Sequence, residues 1–216
     1  PSAWEASTRI FSQERVDVVK SVWRVLAVFA FIPIFWALYD QNGSEWVIQA
    51  GKMNLNTDLR FWIFDYDWLN IHWLPAQIQA INPILILAFI PLFSLVIFPA
   101  IEKMVIKVTP LRKIGAGMVL TALSFVLIAL IQEKIDLGQS PSILWQLLAY
   151  VIITAAEILI SITGLEYAYT QAPKSMKSTI MSFWLLTVSV GNYFVSLVNS
   201  NIHNKGILSS LSGASY

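Results

Sequence analysis

The sequence predicts an all-α membrane protein with five membrane-spanning helices and the start of a sixth. Hydrophobic residues make up 56% of the 216 residues and charged residues only 12%, about half the charge of an average soluble domain. Residues 81–101, 114–132 and 178–202 contain no Asp, Glu, Lys or Arg. A helix of about 20 apolar residues, rising about 1.5 Å per residue, crosses a hydrocarbon core of about 30 Å.

The predicted elements follow one another with short connections and one long loop. The five spans are placed at about 22–39, 80–101, 114–132, 143–169 and 178–199. A polar approach segment over residues 1–21 precedes them and lacks the pattern of a signal peptide. Residues 40–79 form the long loop, and residues 200–216 form a turn and the beginning of a truncated helix. Proline inside the first two spans, at Pro33, Pro91 and Pro99, predicts kinks.

The distribution of Lys and Arg predicts the orientation in the membrane. The N-terminal segment extended to Arg24, the 102–113 loop and the 170–177 loop carry ten of the fourteen Lys and Arg residues. Cytoplasmic loops are enriched in these residues. The N-terminus is therefore predicted to be cytoplasmic and the 40–79 loop external.

The predicted external loop has two further features. It is rich in tryptophan, which favours the membrane–water interface: Trp46, Trp62, Trp68 and Trp73. The stretch RFWIFDYDW (60–68) alternates partly, as a β-hairpin would. Asp65 and Asp67 form a DxD motif within it, which alone is weak evidence for a metal, and no metal site is expected.

Composition and motifs exclude several classes of protein. The chain has no Cys, so neither a disulfide framework nor a thiolate metal site is expected. A net charge of +1 gives no case for a nucleic-acid surface. With only His72 and His203, a histidine-based site is also poorly supported. No HExxH, GxSxG or P-loop motif occurs, so no enzyme activity and no organic cofactor are predicted.

Glu157 interrupts the fourth span near its centre. An ionisable side chain at mid-membrane costs about 2.5–3.5 kcal/mol on insertion scales and usually faces a cavity or a partner. We therefore expect a substrate or ion site there; the alternative is a structural hydrogen bond from a protonated Glu. Ser161 lies four residues on and would share the helix face of Glu157. A carboxylate beside a hydroxyl suits an ammonium group.

Three candidates lie around the long loop. Asp40 closes the first span, and Trp36, four residues earlier, shares its face. On position alone, the alternative for Asp40 is an ordinary carboxylate at the membrane interface. The alternative for Trp36 is an aromatic residue that packs against another helix. Asn82 precedes Pro83, which fits an N-cap residue followed by proline at the first helical position. The alternative for Asn82 is an amide that faces a cavity.

Two further candidates lie near the cytoplasmic ends of spans. Trp184 is deeper than a typical interfacial tryptophan and either walls a pocket or packs against another helix. Gly191, on the same span, permits close approach of a neighbouring helix. Arg24 either extends its charged group to the interface or belongs to an intracellular gate.

Three separated segments resemble one protein family. FWALYDQNGSEW (35–46), QAINPILI (79–86) and EILISITGLEYAYTQAPKSMKSTIMSFWLLTVSVGN (157–192) resemble, in this order, motifs of the C-terminal bundle of the proton-dependent oligopeptide transporter (POT/PTR) family. This family is a branch of the major facilitator superfamily. The resemblance covers about residues 20–216. It implies that the five spans are the seventh to eleventh of twelve or more, in a chain that is a fragment of a transporter.

The resemblance also implies roles in substrate binding. Glu157 corresponds to the residue that contacts the amino terminus of the bound peptide, and Ser161 to a polar pocket residue. Asn82 corresponds to an amide that binds the peptide backbone. Trp36 and Trp184 correspond to aromatic walls of the pocket.

Proton coupling and gating are implied for two residues. Asp40 corresponds to an acidic position linked to protonation and extracellular gating, and Arg24 to a basic intracellular position. In some members that basic residue pairs with an Asp on the next helix, where this chain has Ser94. The ExxER motif of the family, which belongs to the N-terminal bundle, is absent from this chain.

The expected function is proton-coupled symport of di- and tripeptides by alternating access between two six-helix bundles. Protons are the expected coupling ion. The expected partners are the peptide, the lipid bilayer and the N-terminal bundle, without nucleic acid. The expected location is the plasma membrane, as in a bacterial inner membrane. One alternative is transport of another small solute such as nitrate; another is a non-transporting scaffold subunit or a membrane-embedded enzyme.

Overall fold

The computed structural model describes residues 3–8, 10–58, 70–103 and 108–202. Five helices within these ranges are long and apolar enough to cross a membrane, which confirms the all-α membrane fold class. Their bounds are Gln13–Ala50, Pro75–Lys103, Pro110–Asp136, Leu144–Gln171 and Lys177–Val198. The last helix extends to Ile202, and the truncated helix predicted beyond it lies outside the described residues.

The spans are composed of shorter elements, which are labelled here in chain order. The helices are α1 (Ala3–Ser7), α2 (Gln13–Phe29), α3 (Ile32–Tyr39), α4 (Glu45–Ala50), α5 (Pro75–Gln79), α6 (Ile81–Leu92), α7 (Phe98–Lys103), α8 (Pro110–Asp136), α9 (Leu144–Glu157), α10 (Thr163–Gln171) and α11 (Lys177–Ile202). The strands are β1 (Asn56–Asp58) and β2 (Asn70–His72). Two 3₁₀ turns cover Asp40–Gly43 and Lys174–Met176, and two π-helical turns cover Phe93–Ile97 and Ile158–Ile162.

The first span is interrupted near Pro33 and is longer than predicted. α2 ends at Phe29, and α3 begins at Ile32. The ring of a proline clashes with the carbonyl four residues earlier, which here is that of Phe29. After α3, the 3₁₀ turn Asp40–Gly43 leads directly into α4. The loop predicted to begin at residue 40 therefore begins only after Ala50.

Tertiary packing explains why α4 is helical. A six-residue helix is not stable in isolation. Trp46 is buried, and its carbonyl oxygen accepts a hydrogen bond of 2.7 Å from Gln146 Nε2. Gln49 Nε2 donates to the carbonyl of Ile128 at 3.2 Å and to Gln132 Oε1 at 3.0 Å. These contacts with α8 and α9 hold α4 in place directly after the polar turn Asp40–Gly43, where the sequence predicts the start of a loop.

The second span begins earlier than predicted, at Pro75 instead of residue 80, and changes geometry before Pro99. α6 continues through Pro91, and the π-helical turn follows it. Pro99 has no N–H to donate to the carbonyl four residues earlier, so a regular α-helical hydrogen bond is lost there. Ser94 Oγ donates to the carbonyl of Ile90 at 2.7 Å within the same segment.

The remaining three spans agree with the predicted positions and extend a few residues further. Thr109 precedes α8 and caps it, because its hydroxyl accepts a hydrogen bond of 3.4 Å from the Arg112 N–H. Pro110 occupies the first helical position, where its missing N–H costs nothing. The fourth span consists of α9, the π-helical turn Ile158–Ile162 and α10.

A two-stranded hairpin lies between the first two spans. β1 and β2 pair antiparallel, with Asn56 opposite His72. Trp73 Nε1 donates to Thr57 Oγ1 at 2.8 Å beside it. The hairpin predicted over residues 60–68, with its DxD motif, lies outside the described residues.

The chain divides into two compact units. One comprises Pro1–Ala37 and Leu165–Tyr216, and the other comprises Leu38–Gly164. The core of the Leu38–Gly164 unit forms around Trp46, whose ring centroid lies 5.0 Å from that of Tyr150 in an edge-to-face arrangement. Within this unit, the second span presents apolar side chains outward, as a lipid-facing helix does.

Candidate functional site

Glu157 is held by hydrogen bonds from two other helices of the Leu38–Gly164 unit. It ends α9 at the point where the helix passes into the π-helical turn. Its side chain is half-buried. Tyr39 Oη donates to Glu157 Oε2 at 2.7 Å, and Asn82 Nδ2 donates to the same oxygen at 3.2 Å. Both donors face a carboxylate, and such charge-assisted bonds are stronger than neutral ones.

Asn82 belongs to this cluster and does not cap a helix. α5 precedes α6 directly, so the N-cap position of α6 is occupied by Ala80, and Asn82 lies within the helix. Its buried amide also donates to Thr154 Oγ1 at 3.1 Å. The N-cap interpretation is therefore wrong. Asn82 instead lines a cavity, and its role in substrate binding stays a prediction.

A cavity of about 480 Å³ adjoins the cluster. The end of α3, the 3₁₀ turn Asp40–Gly43, the helix α5 and the beginning of α6 form its walls. Its polar lining consists of Tyr39, Asp40, Asn42, Gln79 and Asn82. One carboxylate and several neutral hydrogen-bonding groups line it, and two of these groups, those of Tyr39 and Asn82, are hydrogen-bonded to Glu157. This arrangement suits a ligand that carries a cationic amine and further hydrogen-bonding groups.

Ser161 is not joined to Glu157 by a hydrogen bond. Its Oγ is buried and has no hydrogen-bond partner within the described part of the chain. Glu157 ends α9, and Ser161 lies within the π-helical turn Ile158–Ile162 that follows, whose geometry differs from the α-helical spacing on which the shared face was predicted. The role of Ser161 in the pocket stays a prediction.

Trp36 and Trp184 contact each other in the other unit. Their ring centroids lie 6.3 Å apart at 81°, and Phe29 lies 5.3 Å from Trp184. Gly191 lies against this group: a Cβ atom at this position would lie 2.8 Å from Trp36 Cβ and 2.7 Å from the carbonyl oxygen of Pro33. The close approach predicted for Gly191 is confirmed, and both tryptophans take part in helix packing. Their proposed contact with substrate stays a prediction.

The two residues predicted for gating differ in their surroundings. Asp40 lies in the 3₁₀ turn, where it lines the cavity. Arg24 is exposed on α2. Ser94, which stands where some family members have the Asp that pairs with the basic residue, donates its hydroxyl to the carbonyl of Ile90 in its own span.

Two contributors to the cluster were not predicted from the sequence. Thr154 precedes Glu157 by three residues, a spacing that places both on one helix face, and this was the available signal. Tyr39 carries no signal beyond its position next to Asp40. Its hydrogen bond with Glu157 joins residues 118 positions apart, which local spacing does not indicate.

Comparison with known proteins identifies relatives along nearly the whole chain. A sequence profile described as "PTR2: POT family" matches residues 3–207. Solute carrier family 15 member 2 of Rattus norvegicus is 45% identical over 118 residues, which are 55% of this chain and 15% of that protein. Peptide transporter PTR2 of Saccharomyces cerevisiae is 32% identical over 206 residues, which are 89% of this chain and 31% of that protein.

A solved structure agrees with these matches. The in meso crystal structure of the POT family transporter PepTSo matches with a TM-score of 0.81 and 42% sequence identity, over 98% of this chain and 39% of the solved chain. This chain therefore spans less than half the length of each of these relatives. Because the family profile matches residues 3–207, the chain belongs to the POT family.

Proposed function

We propose that this chain is part of a proton-coupled symporter that carries di- and tripeptides by alternating access. The observation that carries the proposal is Glu157, an acidic side chain inside a span, held by Tyr39 and Asn82 beside a cavity of about 480 Å³. Membership of the POT family supports it. In this proposal, the five spans are the seventh to eleventh of the transporter, and an N-terminal six-helix bundle is their partner.

The proposed role of Glu157 is to bind the amino terminus of the peptide. Attraction between a carboxylate and an ammonium group is stronger in a cavity from which water is excluded than in bulk water. Asn82 would hydrogen-bond the peptide backbone, and Ser161 would be a polar residue of the same pocket. Trp36 and Trp184 would supply aromatic surface to the peptide, a role that their ring packing does not test.

Protons are the proposed coupling ion, and no organic cofactor is proposed. Asp40 and Arg24 are the proposed residues for protonation and gating. The proposed location is the plasma membrane, with the N-terminus in the cytoplasm. The excess of Lys and Arg in the connections assigned to that side supports this orientation.

Glu157→Gln tests the proposed function in the intact transporter. The exchange keeps the shape of the side chain and removes its charge, and a bond to a charged group contributes about 1.5–3 kcal/mol. Uptake of a radiolabelled dipeptide into proteoliposomes, driven by an inward proton gradient, should fall about ten-fold or more. An N-acetylated dipeptide should compete poorly with the wild type, because it lacks the ammonium group.

Glu102→Gln is the matched control, because Glu102 is exposed at the end of the second span. It should transport as the wild type does. Undiminished uptake by the Glu157→Gln variant would reject the proposed role. Nitrate should not compete with the dipeptide, because Asp40 and Glu157 would repel an anion. Efficient competition by nitrate would favour the alternative substrate, and absence of any uptake by the wild type would favour a scaffold.

A further inference from the structure

A second cavity, of about 390 Å³, lies in the Leu38–Gly164 unit where α8 ends and the chain turns back into α9. No residue of the Glu157 cluster or of the 480 Å³ cavity belongs to it. Its wall on the side of the span is apolar and includes Leu127, Leu130 and Ile131. Leu130 is 52% exposed, so the cavity opens on the surface of the span.

The lining changes from apolar to charged along the helix axis. Glu133 and Lys134, in the last turn of α8, follow the leucines, and Gln139 continues the polar end from the loop. At about 1.5 Å per residue, Leu127 and Lys134 are about 10 Å apart along the axis. This gradient matches that of a lipid molecule, because its headgroup lies at the interface and its chains extend toward the bilayer centre.

The charged groups of the cavity are available for a ligand. Glu133 and Lys134 are both exposed, and neither forms an ion pair within the described ranges of the chain. One is an anion and the other a cation, next to each other at the same end of the cavity. Trp145, at the beginning of α9, also lines the cavity and is 50% exposed. Tryptophan at this depth favours the interfacial region of a bilayer.

We propose that this cavity binds a membrane phospholipid whose headgroup carries both a phosphate and a primary ammonium group. Lys134 binds the phosphate, and Glu133 accepts hydrogen bonds from the ammonium group. The amide of Gln139 donates to the ester or phosphate oxygens. One acyl chain lies against Leu127 and Leu130. A headgroup with phosphate alone would leave Glu133 without a partner and facing a like charge.

Binding is measured by native mass spectrometry of the intact, detergent-purified protein. The probes are phosphatidylethanolamine, phosphatidylcholine and phosphatidylglycerol with identical acyl chains. One phosphatidylethanolamine should bind about five-fold more tightly than the other two, since a charge near the membrane surface contributes about 1 kcal/mol. The double variant E133Q/K134Q should lose this preference.

The matched control is E102Q/K103Q, which neutralises an adjacent, exposed Glu–Lys pair at the end of another span. It should keep the preference for phosphatidylethanolamine. Equal loss in both double variants would overturn the proposal, as would equal binding of phosphatidylglycerol by the wild type.

A second measurement on the wild type does not depend on any variant. Phosphatidylethanolamine with a photoreactive diazirine on one acyl chain should crosslink to peptides from residues 127–145, and peptide mass spectrometry locates the crosslink. Crosslinks confined to other parts of the chain would overturn the proposal.

Discussion

At the scale of single residues, Glu157 owes its position to side chains from other helices. Tyr39 and Asn82 both donate to Oε2, so this oxygen is occupied while no described group donates to Oε1. A carboxylate held in this way is oriented before a ligand arrives. Preorganisation of this kind lowers the cost of binding, because the side chain does not have to be ordered afterwards.

Tyr39→Phe tests the orienting role of the tyrosine hydroxyl. The exchange removes only the group that donates to Glu157 Oε2 at 2.7 Å. A hydrogen bond to a charged group contributes about 1.5–3 kcal/mol, so the KM for a dipeptide should rise about ten-fold. Thermal stability should fall less than after the loss of a fully buried hydroxyl, because Asn82 still donates to Glu157 Oε2. Concentration-dependent uptake into proteoliposomes measures the KM.

Tyr150→Phe is the control for this prediction. Its hydroxyl is fully buried in the same unit and donates to the carbonyl of Asn42 at 2.7 Å. Removing it leaves a buried acceptor without its partner, which costs about 1–3 kcal/mol. We therefore expect a lower melting temperature with an unchanged KM. A KM that rises equally in both variants would argue against a specific role of Tyr39.

At the scale of secondary-structure elements, α3 and α11 approach closely because Gly191 has no side chain. An added Cβ would lie 2.7 Å from the Pro33 carbonyl oxygen and 3.0 Å from the Ala37 nitrogen. Both are backbone atoms, which cannot move aside as a flexible side chain can. The aromatic contact between Trp36 and Trp184 depends on the same close packing.

Gly191→Ala should therefore destabilise the protein. Overpacking of this kind costs about 1–3 kcal/mol, so the melting temperature measured by intrinsic tryptophan fluorescence in detergent should fall. Gly115→Ala is the matched control, because its added Cβ would meet no atom within 4 Å. There, alanine is favoured over glycine in a helix by about 1 kcal/mol, and the melting temperature should stay or rise. Similar effects of the two substitutions would contradict this account of the packing.

At the scale of the whole molecule, the described helices leave much apolar side-chain surface exposed. Leu87 and Leu95 of the second span are each 75% exposed. A soluble protein rarely presents contiguous apolar surface of this kind. Lipid, or further helices of a longer protein, account for it. The relatives are longer than this chain, which is consistent with contact between this surface and further helices.

Cysteine labelling tests the predicted orientation of the molecule. None of the 216 residues is Cys, so single cysteines can be placed in a cysteine-free version of the intact protein. Lys52 and Lys103 are both exposed, the first after α4 and the second at the end of α7. Lys52→Cys should react with an impermeant maleimide on intact cells. Lys103→Cys should react only after permeabilisation, and the reverse pattern would invert the assigned topology.

The positions of the spans and the choice of Glu157 were readable from the sequence because both are local properties. An apolar run of about 20 residues crosses the hydrocarbon core whatever its neighbours are. A carboxylate near the centre of such a run can be recognised from the sequence without knowledge of the tertiary structure. The ends of the first two spans were predicted less accurately. α4 follows the polar turn Asp40–Gly43, at which a loop was predicted to begin, and its packing against α8 and α9 stabilises it as a helix.

The sequence by itself determined a multi-span α-helical membrane protein, an acidic residue near the centre of its fourth span and the motifs of the POT family. The tertiary structure alone decided which groups meet. Asn82 and Glu157 are 75 positions apart and Tyr39 and Glu157 are 118 positions apart, so no helical periodicity connects them. The physical reason is that hydrogen bonds between helices depend on how whole helices pack, whereas insertion in a bilayer depends on the composition of each helix alone.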